Sequence, residues 1–199
     1  FALATVYLSF GVNTQSSRWV SECLNIKSQA VQNRSPKIVI LAGSNAMFGF
    51  SAQRLSERYG IESVNAAIHA GLGISYILHY GRRYFAPDRM FILPLEYELY
   101  GGPSREEVYQ LQVIGFDKNY YEDMTIYRKL DFVRNISIFS LARMISLKYY
   151  PKPLNGDGYQ SRNLNSYGDE TSNIITPDKL DKLSYAKMRA PNLKIFSID

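Results

Sequence analysis

The sequence predicts an α/β fold, a parallel sheet flanked by helices, and three observations predict it. First, Lys37 to Ala42, Ile61 to Ala66 and Met90 to Leu95 are short apolar runs with the length and β-branched content of buried strands. Second, helical patterns at 52–59 and 73–85 separate them, and strand-helix alternation favours parallel strands joined by right-handed crossovers. Third, 199 residues, 46% of them hydrophobic and 14% aromatic, suffice for one sizeable core and exclude disorder or a fibre.

The remaining composition narrows function. One cysteine, Cys23, rules out an internal disulfide and a cysteine-based zinc cluster, and two histidines, His69 and His79, leave little for a metal site. No metal or other cofactor is therefore expected. The net charge of +5 is spread along the chain without basic runs interleaved with aromatics, which argues against nucleic acid as a partner.

Taken in order, residues 1–14 come first. Phe1 to Val12 carries no charge and none follows until Arg18, so the segment is expected to be the tail of a membrane helix or signal segment. The alternative is a helix packed on the core. The first reading gives a membrane-proximal N-terminal helix and an extracytoplasmic location, periplasmic or at the cell surface. Residues 15–36 read as a polar connector helix, because Trp19, Val20, Leu24, Ile26 and Val31 form only a partial stripe.

The α/β domain is expected over 37–199. After the first strand, Ser51 is placed to cap a helix over Ala52 to Tyr59 and Gly60 to end it. The helix over Gly73 to Phe85 stops before Pro87. Beyond Leu95 a helical and loop insertion of about 101–176 is expected. Ser104 and Glu107 form a capping box there, and Asn135 to Tyr150 carries a broad apolar face that should be buried. Pro151 to Thr176 lacks periodicity and reads as a functional or mobile loop. Thr176, Pro177 and Asp178 open a last helix, and Leu193 to Ile198 is placed to begin a further strand.

In such folds chemistry gathers in the loops at the carboxyl ends of the strands. The first loop, Gly43-Ser44-Asn45-Ala46, presents Ser44 as a candidate nucleophile, with Gly43 allowing a tight turn and the following N–H groups suited to an oxyanion. The competing reading makes Ser44 or Asn45 a helix cap. A phosphate cradle is disfavoured, because neither a Walker ending nor G-x-G-x-x-G follows the strand.

With the second loop, Asn65-Ala-Ala-Ile-His-Ala-Gly-Leu-Gly73, residues 37–100 resemble the SGNH/GDSL hydrolase superfamily. The closer likeness is to its membrane-associated polysaccharide O-acyltransferase-like and D-alanylation-protein-like branches. The resemblance implies a flavodoxin-like SGNH fold in which Ser44, within Ala42-Gly43-Ser44-Asn45, is the nucleophile. It also implies a backbone oxyanion donor after the second strand, where Gly71 is the candidate and Ala70 stands in the more usual register. Gly73 and Asn45 would join the pocket. The asparagine usual after the third strand is replaced by Glu96, and a carboxylate cannot donate to an oxyanion unless protonated.

The superfamily's D-x-x-H segment is absent from this sequence. The resemblance therefore implies an incomplete domain whose Asp and His lie past Asp199, with His69 the in-chain substitute for the base. His79 falls among Ile77, Leu78 and Tyr80 and reads as a packed helix residue. Other polar groups have two readings each: Glu96 and Glu98 as a pair for a cation, a sugar or glycosidic acid/base work or as two solvated acids, and the polar groups of the long loop as a carbohydrate contact or as a solvated loop. Glu96 and Glu98 would share one face of an extended strand end, and Asp157, Tyr159, Tyr167, Asp169 and Glu170 fall in the long loop. Tyr80, Tyr84, Tyr97 and Tyr100 suit core and rim.

The function so implied is an extracytoplasmic serine esterase or O-acyltransferase acting on a cell-surface polysaccharide through an acyl-serine. Its partners would be an acyl donor, the polysaccharide, the membrane and a membrane-bound acyltransferase. The alternatives are a catalytically silent, membrane-anchored binding or assembly subunit of the same fold, and an unrelated doubly wound binding domain.

Overall fold

The computed structural model describes residues 15–100, 113–135 and 160–172, together with 139, 142, 145, 146, 149 and 150. Its centre is a three-stranded parallel sheet in the order β2-β1-β3, built from β1 (Ile38–Ile40), β2 (Ser63–Asn65) and β3 (Met90–Ile92). Val39 pairs with Val64 on one side and with Phe91 on the other, so β1 is hydrogen-bonded along both edges. The strands are shorter than the apolar runs. Hydrogen bonding persists one residue further, from Leu41 N–H to Ile92 O and from Ala66 N–H to Ile40 O, before the chains diverge into the loops of the site.

Helices α1 (Gln15–Arg34), α2 (Ser44–Gly49), α3 (Ala52–Tyr59) and α4 (Ile74–Arg82) surround this sheet. They are followed by α5 (Lys118–Glu122) and α6 (Ile126–Asn135). Ser51 caps α3 by accepting the Arg54 N–H, and Gly60, at φ 66°, ends it in the left-handed region where glycine costs least.

The segment read as a connector is part of the packed domain. Val20, Cys23, Leu24, Lys27, Ala30 and Val31 of α1 are all buried, and α1 lies against β2. What looks like a partial stripe becomes continuous once Cys23 and Lys27 are counted as interior, a placement a lysine rarely takes.

No helix among the described residues is long and apolar enough to cross a membrane. The expected N-terminal membrane-proximal helix falls on residues 1–14, which lie outside the described set, as do the capping box at Ser104, Asp157, Tyr159, the helix from Thr176 and the segment 193–198. The apolar face expected to be buried over 135–150 is not so where it is described: Phe139 is 87% exposed and belongs to neither core cluster. An apolar stripe specifies a helix face without specifying a partner for it.

Part of the long loop is a fixed structural element. Asn65 N–H donates to Tyr167 O at the outer edge of β2, and Arg34 stacks its guanidinium 3.3 Å from the Tyr167 ring centroid while binding Ser166 and Glu62. Asp169, only 4% exposed, accepts from the Ser51 hydroxyl and from Ala52 and Gln53 N–H at 3.0, 2.8 and 2.9 Å, so it caps α3. Both readings of Asp169, a solvated loop acid and a sugar contact, are therefore corrected: a buried carboxylate satisfied by three donors is a structural cap. Tyr167 is likewise occupied by Arg34.

Candidate functional site

The loops that follow the carboxyl ends of the three strands meet at the Gly43-Ser44-Asn45 turn. β1 delivers it directly, because Leu41 and Ala42 remain buried and Gly43 turns the chain into α2, whose first residue is Ser44. Ser44 is half-buried, and among the described residues its hydroxyl makes no hydrogen bond.

Glu96, from the loop after β3, lies across this turn. Its Oε2 accepts the Gly43 N–H at 3.2 Å and its Oε1 the Asn45 N–H at 3.0 Å. The Asn45 side chain in turn donates to Pro94 O at 2.9 Å, which ties α2 to the same loop. The second loop arrives at the same point. A side-chain carbon on Gly43 would stand 2.5 Å from Ala70 N and 2.2 and 2.6 Å from the two Glu96 oxygens, so glycine is required by space alone.

His69 and the two glycines complete the cluster. His69 Nδ1 accepts the Gly71 N–H at 2.8 Å, which places the neutral ring's proton on Nε2. Half-burial lowers its pKa below 6.5, and the Glu96 carboxylate pulls it the other way. Gly73 donates its N–H to Ala70 O at 2.9 Å, closing the 3-10 turn Ala70–Leu72. Among the described residues no acceptor is bonded to Ala70 N–H.

Ser44, Asn45, His69, Ala70 and Glu96 thus share one end of the sheet, and Gly71 and Gly73 sit just beyond with their N–H groups engaged. His79 is elsewhere, on α4, packed against Tyr76 and Tyr120 and 3.8 Å from Asp123. The extended Glu96–Glu98 pair does not form. Pro94 breaks the strand, and Tyr97–Tyr100 turn into a 3-10 helix closed by Leu99 N–H on Glu96 O, so the two acids do not alternate along a strand. Tyr80 and Tyr84 are buried, whereas Tyr97 and Tyr100 are 68% and 65% exposed.

One positioning residue escaped sequence reasoning. Asn65, fully buried at the end of β2, donates from Nδ2 to Ala46 O and Phe50 O and accepts the Ala67 N–H, clipping β2 to the backbone of α2. A lone asparagine at a strand end was its only signal. Among the described residues no three His, Cys, Asp or Glu side chains gather as a metal-ligand set.

Chemically the site's donors and base are largely engaged, the Ser44 hydroxyl and the Ala70 N–H excepted. The two N–H groups that could face a developing negative charge on the Ser44 turn hold the Glu96 carboxylate instead. The ring nitrogen of His69 that could take a proton is held by Gly71. For His69 to take a proton at Nδ1 it would have to turn off Gly71, which would free that N–H as well, and the Gly43 and Asn45 N–H groups become available only when Glu96 leaves the turn. No family model, curated protein or solved structure matches this chain.

Proposed function

We propose that the chain is an SGNH-type, flavodoxin-like domain that transfers an acyl group to or from a cell-surface polysaccharide outside the cytoplasm, with Ser44 as the nucleophile. The observation that carries this reading is the meeting of Ser44, Ala70 N–H and Glu96 at the carboxyl end of the central strand. The β2-β1-β3 parallel order supports it as the first part of a doubly wound sheet, in which ligands bind at this end. The polysaccharide, the envelope location and a membrane-bound acyltransferase partner come from the sequence resemblance.

In the reaction Ser44 Oγ adds to the acyl carbon, its proton passes to a base, and the alcohol leaves with that proton to give the acyl-serine. Water or a sugar hydroxyl then takes the acyl group by the same steps in reverse. His69, on the loop that reaches the Ser44 turn, is the in-chain substitute for the Asp and His that the resemblance supplies from a D-x-x-H segment.

One observation favours a second reading, the silent binding or assembly subunit: Glu96 already fills the turn. Intact-mass measurement after a fluorophosphonate probe separates the two. Stoichiometric labelling that disappears in Ser44→Ala supports acyl transfer. An unlabelled wild type whose Glu96→Asn variant also stays unlabelled overturns it in favour of the silent subunit.

A further inference from the structure

At the opposite end of the sheet, where β1 and β3 begin, a cavity of about 370 Å³ opens between α1, the end of α4 and the turn before β3. Its size falls within the range of small-ligand sites. Ser28 and Gln32 of α1 and Ser35 just past its end line it on one side, Arg83 and Tyr84 just past the end of α4 on another, and Arg89 at the foot of β3. The lining contains two guanidiniums and no carboxylate.

The two arginines are unlike each other. Arg83 is neutralised by Asp117 at 2.6 Å. Arg89 is held by neutral groups: Nε donates to Pro36 O at 2.9 Å and Nη1 to Tyr84 O. The neighbouring acid, Asp88, is taken by Lys37. A guanidinium has five N–H donors, so with two engaged Arg89 keeps three, on a group already fixed in place. Its charge has no ion-pair partner among the described residues.

Residues with hydroxyls and an amide line the same cavity. Ser28 Oγ and Tyr84 OH are paired at 2.5 Å in the cavity wall. Ser35 stands at φ 44°, a left-handed position that a glycine would occupy at less cost, yet it contributes a hydroxyl to the rim. A guanidinium with three open donors, with the Ser35 hydroxyl and Gln32 amide lining the same cavity, offers more donors than a planar carboxylate can use and suits a tetrahedral oxyanion with more acceptors.

We propose that this cavity binds a phosphate group, as the free ion or as the phosphoryl end of a small phosphomonoester, independently of the Ser44 site. The volume beyond the fork accommodates the body of an ester. Arg89 supplies the fork and the charge, and Ser35 and Gln32 the rim.

The experiment titrates the full chain with inorganic phosphate, glycerol phosphate and acetate at low ionic strength, following backbone amides by NMR. Expected are saturable shifts confined to residues 28–37 and 83–90, with acetate at least about tenfold weaker than phosphate. Glycerol phosphate binding more tightly than phosphate assigns the rest of the cavity to an ester, and equal binding assigns the free ion. Arg89→Lys keeps the charge but not the fork and should weaken phosphate binding about tenfold. Ser35→Gly, which relieves backbone strain and so folds at least as well, should weaken it too, while exposed Arg82→Gln leaves it unchanged. Absence of saturation to about 20 mM phosphate, acetate equal to phosphate, or binding untouched by both Arg89→Lys and Ser35→Gly would overturn the proposal.

Discussion

Both carboxylate oxygens of Glu96 lie within 2.6 Å of the point where a side chain on Gly43 would begin. Two residues 53 apart in sequence thereby compete for the same space, and the backbone wins it only because Gly43 has no side chain. At φ −87° Gly43 is not strained, so Gly43→Ala isolates the steric effect. Glu96 can swing aside, but Ala70 N belongs to the backbone and stands 2.5 Å away. Urea unfolding should show a loss of about 2 kcal/mol for Gly43→Ala. The double variant with Glu96→Ala should recover only part of it, and full recovery would mean that the Ala70 contact yields freely.

The same carboxylate should be visible in the titration of His69. Burial lowers the His69 pKa and Glu96 raises it, so Glu96→Gln removes the raising influence and should move the His69 midpoint further below 6.5. His79 serves as an internal control, because its charged neighbours are Arg83, Asp117, Asp123 and Arg82 and not Glu96. Ring-proton NMR over pH 4 to 8 checks both histidines in one sample. An unchanged or raised His69 midpoint would show that Glu96 does not act on the ring.

Asp169 fastens the 160–172 segment to α3 and, through Tyr167, to the edge of β2. Asp169→Ala leaves the buried Ala52 N–H and two further donors without their acceptor, a loss of about 3 kcal/mol. Asp169→Asn retains one acceptor oxygen and should lose less. Hydrogen exchange supplies a local readout. Asn65 N–H, bonded to Tyr167 O, should lose protection in Asp169→Ala, whereas Ala66 N–H, bonded to Ile40 O inside the sheet, should keep it. Equal loss at both amides would mean global unfolding and not release of the loop.

These particulars mark what the sequence could disclose. Strands and caps are written in local chemistry, so Ser51 and Gly60 bound α3 as the residue types require. Ser44 at the end of β1 was legible for the same reason, since a strand terminus and a glycine turn are contiguous in the chain. The partners of the site were not legible, because Glu96 reaches Gly43, and Asp169 reaches Ala52, across 53 and 117 residues. A carboxylate carries no sign of whether it will meet a sugar or a helix end. The burial of Lys27 contradicted its polarity, and only the two carbonyls facing it explain it.

Lys27 makes stability depend on pH in a way that can be worked out. Its Nζ is fully buried and donates to Asn65 O at 2.9 Å and Gly168 O at 2.6 Å, bonds that a neutral amine with its two hydrogens can still make. Gly168, at φ 75°, permits this approach, because a side-chain carbon there would stand 2.4 Å from Asn65 O. Burial lowers the Lys27 pKa from 10.5 to about 8. The unfolded chain therefore binds more protons above pH 8, and stability rises with pH from there toward 10.5, by about 3 kcal/mol if Lys27 acted alone. Cys23, buried one helical turn before it, acts oppositely. Burial pushes its thiol from 9.0 up to about 12, so above pH 9 the unfolded chain loses a proton that the folded one keeps. The two effects cancel between about pH 9 and 10. The expected profile is a rise of about 1 kcal/mol from pH 8 to 9 followed by a plateau. Above pH 10 it falls, as the buried hydroxyls of Tyr76, Tyr80 and Tyr84 resist ionisation. Chemical denaturation across this range should show the rise continuing to about pH 10 in Cys23→Ala and no rise at all in Lys27→Met. A wild-type profile with no rise between pH 8 and 9 would mean that Lys27 is held as the charged ammonium by its two carbonyls.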